Sequence, residues 1–397
     1  MKKFRVLLLS SIVAFLSLTF GLELVARGAA SGGGSGVKIG FIGPMTGDYA
    51  NYGQLQSKGA QLAIEDFNKK EGGIGGQPVQ LVVEDSQGKV EKGSAATQKL
   101  INVDKIQGLV GPVFSGVALA IAPDFQNAQI PIISASATSA EFTEKGDYIF
   151  RTVPSDALQS SILGPYIAEK LGFSTLAILF TKNDYSQSLA ESVTQTYEKA
   201  GGKVLLSLGS PEGTKDFRSQ LTQIKDAAPQ AIFLPNYVAE CAQIIKQLSE
   251  MGANIPIISA DGFSNPEVFD LLGELANGVI FSASPSNETS DALTFQKRYM
   301  EQFKVDPDDF SANIYDGTTI LLHAIKANYN QETQQVDKNA VRQAIQNMKG
   351  FPGVSGSIEF AANGDVKKGF AIKIAKNGKF DTQGIYTVES GRLQELK

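Results

Sequence analysis

Short apolar runs rich in Val, Ile and Leu, each closed by small polar residues, alternate along the chain with longer amphipathic stretches. Runs of the first kind read as strands buried on both faces, and the stretches between them as helices. Strands are predicted at residues 37–42, 79–85, 106–111 and 130–135, and again at 175–180, 203–208, 232–235 and 256–260. Helices are predicted near 54–69, 90–102, 293–303, 313–327 and 338–348. Such alternation predicts an α/β fold with mostly parallel sheets.

The strand pattern is written twice. Residues 130–135 read Ile-Pro-Ile-Ile-Ser-Ala, and residues 255–260 repeat those six letters. At nearly the same displacement, 106–111 matches 230–235 and 79–85 matches 203–208. Two similar α/β lobes with central, mostly parallel sheets are therefore expected, the unit being too long for a solenoid repeat. Extended segments at 149–154, 278–284 and 351–356 read as crossings between the lobes, the last ahead of strands at 370–374 and 385–388. The expected division is 37–153 with 284–353 for the first lobe and 154–283 with 354–397 for the second. Three crossings make a three-strand hinge, which favours bending about the cleft between the lobes.

With 397 residues there is enough chain for two such cores, and 42% apolar residues with 40 glycines suit an α/β protein. A net charge of −5 supplies no basic field for nucleic acid. One cysteine, Cys241, and one histidine, His323, cannot form an intramolecular disulfide or a four-ligand structural zinc site. Residues 1–30 resemble an export signal in plan. Lys2, Lys3 and Arg5 precede the apolar stretch 6–22, and the small residues Gly28, Ala29 and Ala30 follow it. A flexible Gly/Ser leader is expected at 31–36. The rival reading of 6–22 is a retained anchor at the lower limit of a span. No cysteine near the cleavage region offers a lipid attachment point, so a soluble protein of the periplasm is expected, and not a lipoprotein.

Candidate chemistry sits just past the strand ends, where open α/β sheets place ligands. Thr138 follows one copy of the repeated run and Asp261 the other, and the pair reads as two sides of a cleft holding one small zwitterion. An Asp in that position also reads as a helix cap or turn residue. Ser115 stands at a strand-to-helix junction, where a hydroxyl caps a helix and the free N–H groups beside it suit a carboxylate. It has no nearby base and no G-x-S-x-G, which argues against a nucleophile. The Gly-rich stretch 43–53 lacks both G-x-G-x-x-G and G-x-x-x-x-G-K, so its aromatics Tyr49 and Tyr52 read as pocket walls, with Tyr185 in the equivalent place of the second lobe. No cofactor is expected, and with no nucleophile–base pair, metal set or phosphate loop the chain reads as a non-enzyme.

Several ordered motifs carry a family resemblance across residues 37–397. They are Gly43-Pro44-Met45-Thr46-Gly47 with Tyr52-Gly53, Gly72-Gly73-Ile74-Gly75-Gly76, Gly111-Pro112 with Ser115, the 134–138 run, Asn183-Asp184-Tyr185 and Asp261-Gly262. Together these resemble the type I periplasmic binding proteins of the leucine/isoleucine/valine-binding kind, extracytoplasmic subunits of ABC importers. The resemblance implies a ligand carboxylate held at Ser115 and Thr138. It implies an ammonium held by the Ala137 carbonyl, the Thr138 hydroxyl and Asp261, and walls formed by Tyr52, Tyr185 and Tyr237. Some members carry Glu in place of Asp261, which would shift the ammonium site slightly. The implied partners are an aliphatic amino acid and an inner-membrane ABC permease, with the binding protein a monomer. A periplasmic sensor, or a binder of an amide, urea or aromatic acid, is the alternative reading.

Overall fold

The computed structural model describes residues 36–285 and 288–396. The expected export signal and all but the last residue of the expected leader lie outside them. Among the described residues no helix is long and apolar enough to cross a membrane.

The first half of the chain runs β1 (Lys38–Gly43), α1 (Ala50–Glu71), β2 (Gln80–Asp85), α2 (Val90–Lys99), β3 (Gly108–Val110), α3 (Ser115–Asn127), β4 (Ile132–Ser134) and β5 (Ile149–Arg151). It continues through α4 (Asp156–Pro165), β6 (Thr175–Thr181), α5 (Asp184–Lys199), β7 (Lys203–Ser210), α6 (Arg218–Ala227), β8 (Ala231–Leu234), α7 (Val238–Glu250), β9 (Ile257–Ser259), α8 (Glu267–Leu272) and β10 (Ile280–Ala283). The remainder is α9 (Ser290–Phe303), α10 (Asp309–Ala327), β11 (Tyr329–Asn330), β12 (Gln335–Val336), α11 (Lys338–Gln346), β13 (Phe351–Gly353), β14 (Gly356–Ile358), β15 (Phe370–Lys376), β16 (Lys379–Glu389) and β17 (Arg392–Leu396).

Two sheets share one plan. The first has the order β2-β1-β3-β4-β5 and is parallel throughout. The second begins β7-β6-β8-β9-β10, also parallel, and continues antiparallel through β15, β16 and β17. The repeated six-residue run supplies β4 in one and β9 in the other, at equivalent places. Its apolar residues alternate in direction, which is why the run has no polar face. Ile132 joins the core beneath α2 and α3 while Ile133 joins the one beneath α1 and α10. In the second sheet Ile257 and Ile258 divide in the same way. Each fully buried Ile contributes about 1.5–3 kcal/mol.

In both sheets the chain reverses its direction of winding beside the first strand, between β1 and β3 and between β6 and β8. The loops after β1, β3, β4, β6, β8 and β9 therefore open a crevice at the carboxyl ends of the strands. The crossings differ in detail from the expected segments. Residues 149–151 and 280–283 pair into the sheets as β5 and β10, so the chain leaves just after each. Residues 351–356 belong to a hairpin, β13 with β14, and the passage to β15 follows it. Its turn is fastened to α10 by Asp316, which accepts the Val354 and Ser355 N–H groups at 2.8 Å each.

Candidate functional site

The loops after β4 and β9 are built around buried polar groups. Thr138 is fully buried, and its hydroxyl faces the Asp156 carboxylate. Its carbonyl accepts from the Asp156 N–H at 2.8 Å and from Arg151 Nη1 at 2.9 Å. Arg151 also donates to the Ser139 carbonyl at 2.7 Å and lies 2.6 Å from Asp365, so a completely buried guanidinium shapes this loop. The Ala137 carbonyl faces the same guanidinium at 3.4 Å, and the Ala137 N–H donates to Ser134 Oγ at 3.0 Å.

Ser115 was expected to cap α3, but Phe114 occupies the cap position, without a side-chain bond. The Ser115 hydroxyl accepts instead from the Ser139 N–H at 3.3 Å and ties the loops after β3 and β4 together. The cap is dispensable here because the first-turn N–H groups of a helix can be left for another acceptor.

Asp261 is buried at the start of a short 3-10 turn whose cap is Ala260, so its side chain is not a cap. One carboxylate oxygen accepts from Gln159 Nε2 and from the Tyr185 hydroxyl, both at 2.8 Å. The Tyr185 hydroxyl in turn accepts the Gly262 N–H at 2.9 Å. From the other sheet's side Tyr52, at the first turn of α1, donates to the Gly262 carbonyl and accepts the Val238 N–H at 3.0 Å. Tyr237 is half-buried and stacks on both Phe114 and Tyr185.

A narrow space between these groups is lined by Tyr52, Tyr185, Tyr237, Asp261, Phe114 and Ser136, among others, and has room for about one water. Ser115, Ala137 and Thr138 stand beside it without lining it. Sequence reasoning passed over Asp156, at the start of α4. Both of its carboxylate oxygens are buried, and the Thr138 hydroxyl faces them. Burial first, and the Asp261 carboxylate second, push Asp156 well above the usual carboxylate range. Burial likewise raises Asp261, against the hydrogen bonds from Gln159 and Tyr185. The available signal was the i,i+3 spacing of Asp156 and Gln159, which puts an acid and an amide on one side of the first turn of α4.

A family described as periplasmic binding protein matches residues 36–375. The chain belongs to the periplasmic binding protein family. Proteins of this family bind and do not catalyse. This periplasmic binding protein is 28% identical over 342 residues to the leucine-, isoleucine-, valine-, threonine- and alanine-binding protein of Pseudomonas aeruginosa, a match covering 83% of this chain and 87% of that one. It is also similar to the branched-chain amino acid transporter substrate-binding protein of Streptococcus pneumoniae, solved in complex with isoleucine. The TM-score there is 0.80 at 28% identity, over 88% of this chain and 99% of that one. A solute-binding protein of an ABC transporter from R. palustris, solved with benzoate, shares the fold with a TM-score of 0.81 at 20% identity, over 88% of this chain and 96% of that one.

Proposed function

We propose that this protein captures a branched-chain or other aliphatic L-amino acid between its two sheets and delivers it to an ABC importer from the periplasm. The observation that carries the reading is that two carboxylates, Asp156 and Asp261, and the Thr138 hydroxyl are buried in one site, where burial raises both carboxylates above their ordinary range. A primary ammonium brings three N–H donors and one positive charge, which matches a hydroxyl and two carboxylates. At the other end, the first-turn N–H groups of α3 and the unpartnered amide nitrogen of Gln56 offer donors for a carboxylate. The aromatic and apolar residues Tyr52, Val113, Phe114 and Phe310 favour a side chain without charge. Charge-assisted hydrogen bonds contribute about 1.5–3 kcal/mol each and an enclosed aliphatic side chain about 1.5–3 kcal/mol. Less the cost of association, the balance falls near −8 kcal/mol, about micromolar affinity.

The relatives that bind leucine, isoleucine and valine support the ligand class. Calorimetric titration of residues 31–397, stripped of ligand by unfolding and refolding, against the twenty L-amino acids tests it. Micromolar or tighter binding of Leu, Ile or Val is expected. A folded protein giving no heat with any of the twenty would overturn the reading.

A further inference from the structure

Five aromatic rings meet in the cleft, and one of them is enclosed by the other four. The ring of Tyr237 stacks on Phe114 with centroids 4.4 Å apart and planes inclined by 28°, and on Tyr185 at 5.0 Å and 19°. Tyr49 and Tyr52 meet it edge-on at 5.5 and 5.6 Å. Both offset-stacked and edge-to-face contacts are therefore supplied to a single planar ring, the two arrangements that aromatic pairs prefer. The walls come from both sheets' carboxyl edges: Tyr49 and Phe114 from loops and Tyr52 from the first turn of α1 beside the first sheet, Tyr185 from the first turn of α5 beside the second.

What distinguishes the enclosed ring is how it is held. The Tyr49 hydroxyl is bonded to Glu240, that of Tyr52 to Gly262 and Val238, and that of Tyr185 to Asp261 and Gly262. Among the described residues the Tyr237 hydroxyl makes no hydrogen bond, and the residue sits in extended backbone ahead of α7. Three walls are pinned and the occupant is held by stacking. The space left beside it admits about one water, so the slot is full with Tyr237 in place.

We propose that Tyr237 is a built-in occupant of a slot sized for one planar ring, and that it sets the class of side chain the site accepts. With Tyr237 in place the slot takes no second ring, so a ring-bearing side chain finds no place in it. Removing the ring opens the slot to aromatic ligands. The proposal rests on the amino-acid reading of the cleft, but the slot can be probed apart from it.

The test titrates L-leucine and L-phenylalanine calorimetrically into the wild type, Tyr237→Ala, Tyr237→Leu and Tyr237→Phe, with thermal melts to show that each is folded. Phenol, a ring with no amino-acid groups, is followed by saturation-transfer NMR. The expected result is a gain of about tenfold or more for L-phenylalanine, and a new phenol signal, in whichever of the Ala and Leu variants folds, with Tyr237→Phe retaining the wild-type preference. Tight phenylalanine binding by the wild type would overturn the proposal. So would folded Ala or Leu variants that gain neither phenylalanine nor phenol. A wild type that binds no amino acid, beside an Ala variant that gains phenol, would count against the proposed function while supporting the slot.

Discussion

Asp156 and Asp261 are carboxylates kept from water within one site, and each titrates above its ordinary range for that reason. The empty folded protein thus holds these protons more tightly than the unfolded chain does. Stability is consequently lost as pH rises from the unfolded value, about 3.9, through the raised folded values. A bound ammonium reverses the preference by favouring the charged forms. Ligand uptake should therefore release protons, and affinity should fall on acidification through the raised range. Titrations in two buffers of different ionisation enthalpy measure the release directly; equal apparent heats in both would contradict it. Asp156→Asn removes the cost of ionising a buried carboxyl, so at pH above the raised range the ligand-free variant should melt higher while its affinity weakens, each by about 1–3 kcal/mol. A lower melting temperature would show that the charge is better compensated by Arg151 than its geometry suggests. Asp261→Ala should cost binding about 2 kcal/mol or more, roughly thirtyfold in Kd, by leaving the ammonium unpaired.

At the scale of elements, the site is a set of loops, and one glycine lets two of them touch. A Cβ on Gly262 would lie 2.7 Å from the Asn236 carbonyl oxygen and 2.9 Å from the Tyr185 hydroxyl. The first of these is backbone and gives little. Because the Gly262 N–H and C=O are bonded to Tyr185 and Tyr52 respectively, moving that backbone disturbs both tyrosines at once. Gly262→Ala should lower the melting temperature and weaken ligand together, by about 1–3 kcal/mol. A melt and a titration on the same sample check this, and loss of only one would argue for local adjustment. The same loops show what the sequence could reveal. The doubled Ile-Pro-Ile-Ile-Ser-Ala run was legible because a strand buried on both faces must be apolar at every position, and topology then places its polar ends at the sheet edge. Asp156 was hidden because an acid in the first turn of a helix is already accounted for by the helix dipole. The role of Arg151 was hidden because its carbonyl partners lie in another loop and Asp365 far along the chain. The hairpin at 351–358 was mistaken for a crossing because the Asp316 carboxylate that fastens it comes from a distant helix.

For the whole molecule the question is what holds the cleft shut. The chain passes between the sheets three times, and a short strip at the start of α1 reaches across from the first sheet to loops of the second. Asp48 pairs with Lys215 at 2.9 Å, Tyr49 bonds Glu240, Asn51 donates to Asn265 at 2.8 Å, and Tyr52 bridges Gly262 and Val238. These contacts are unequal. The Asp48–Lys215 pair is well exposed on both sides and contributes about 0–1 kcal/mol at most. Tyr52 is 2% exposed, and its hydroxyl satisfies two backbone groups of the second sheet's loops that would otherwise be buried unpaired. Tyr52→Phe keeps the ring and its edge contact with Tyr237 while deleting that bridge. It should shift the balance toward the open state by about 1–3 kcal/mol. Since the open state is the one a ligand enters, association should change little and dissociation should speed by about five- to a hundredfold. Stopped-flow measurement of both rates separates the two effects, and small-angle scattering of the ligand-free variant should show a larger radius of gyration than the wild type. A slower association with unchanged dissociation would mean that Tyr52 orders the entry to the site and does not latch it.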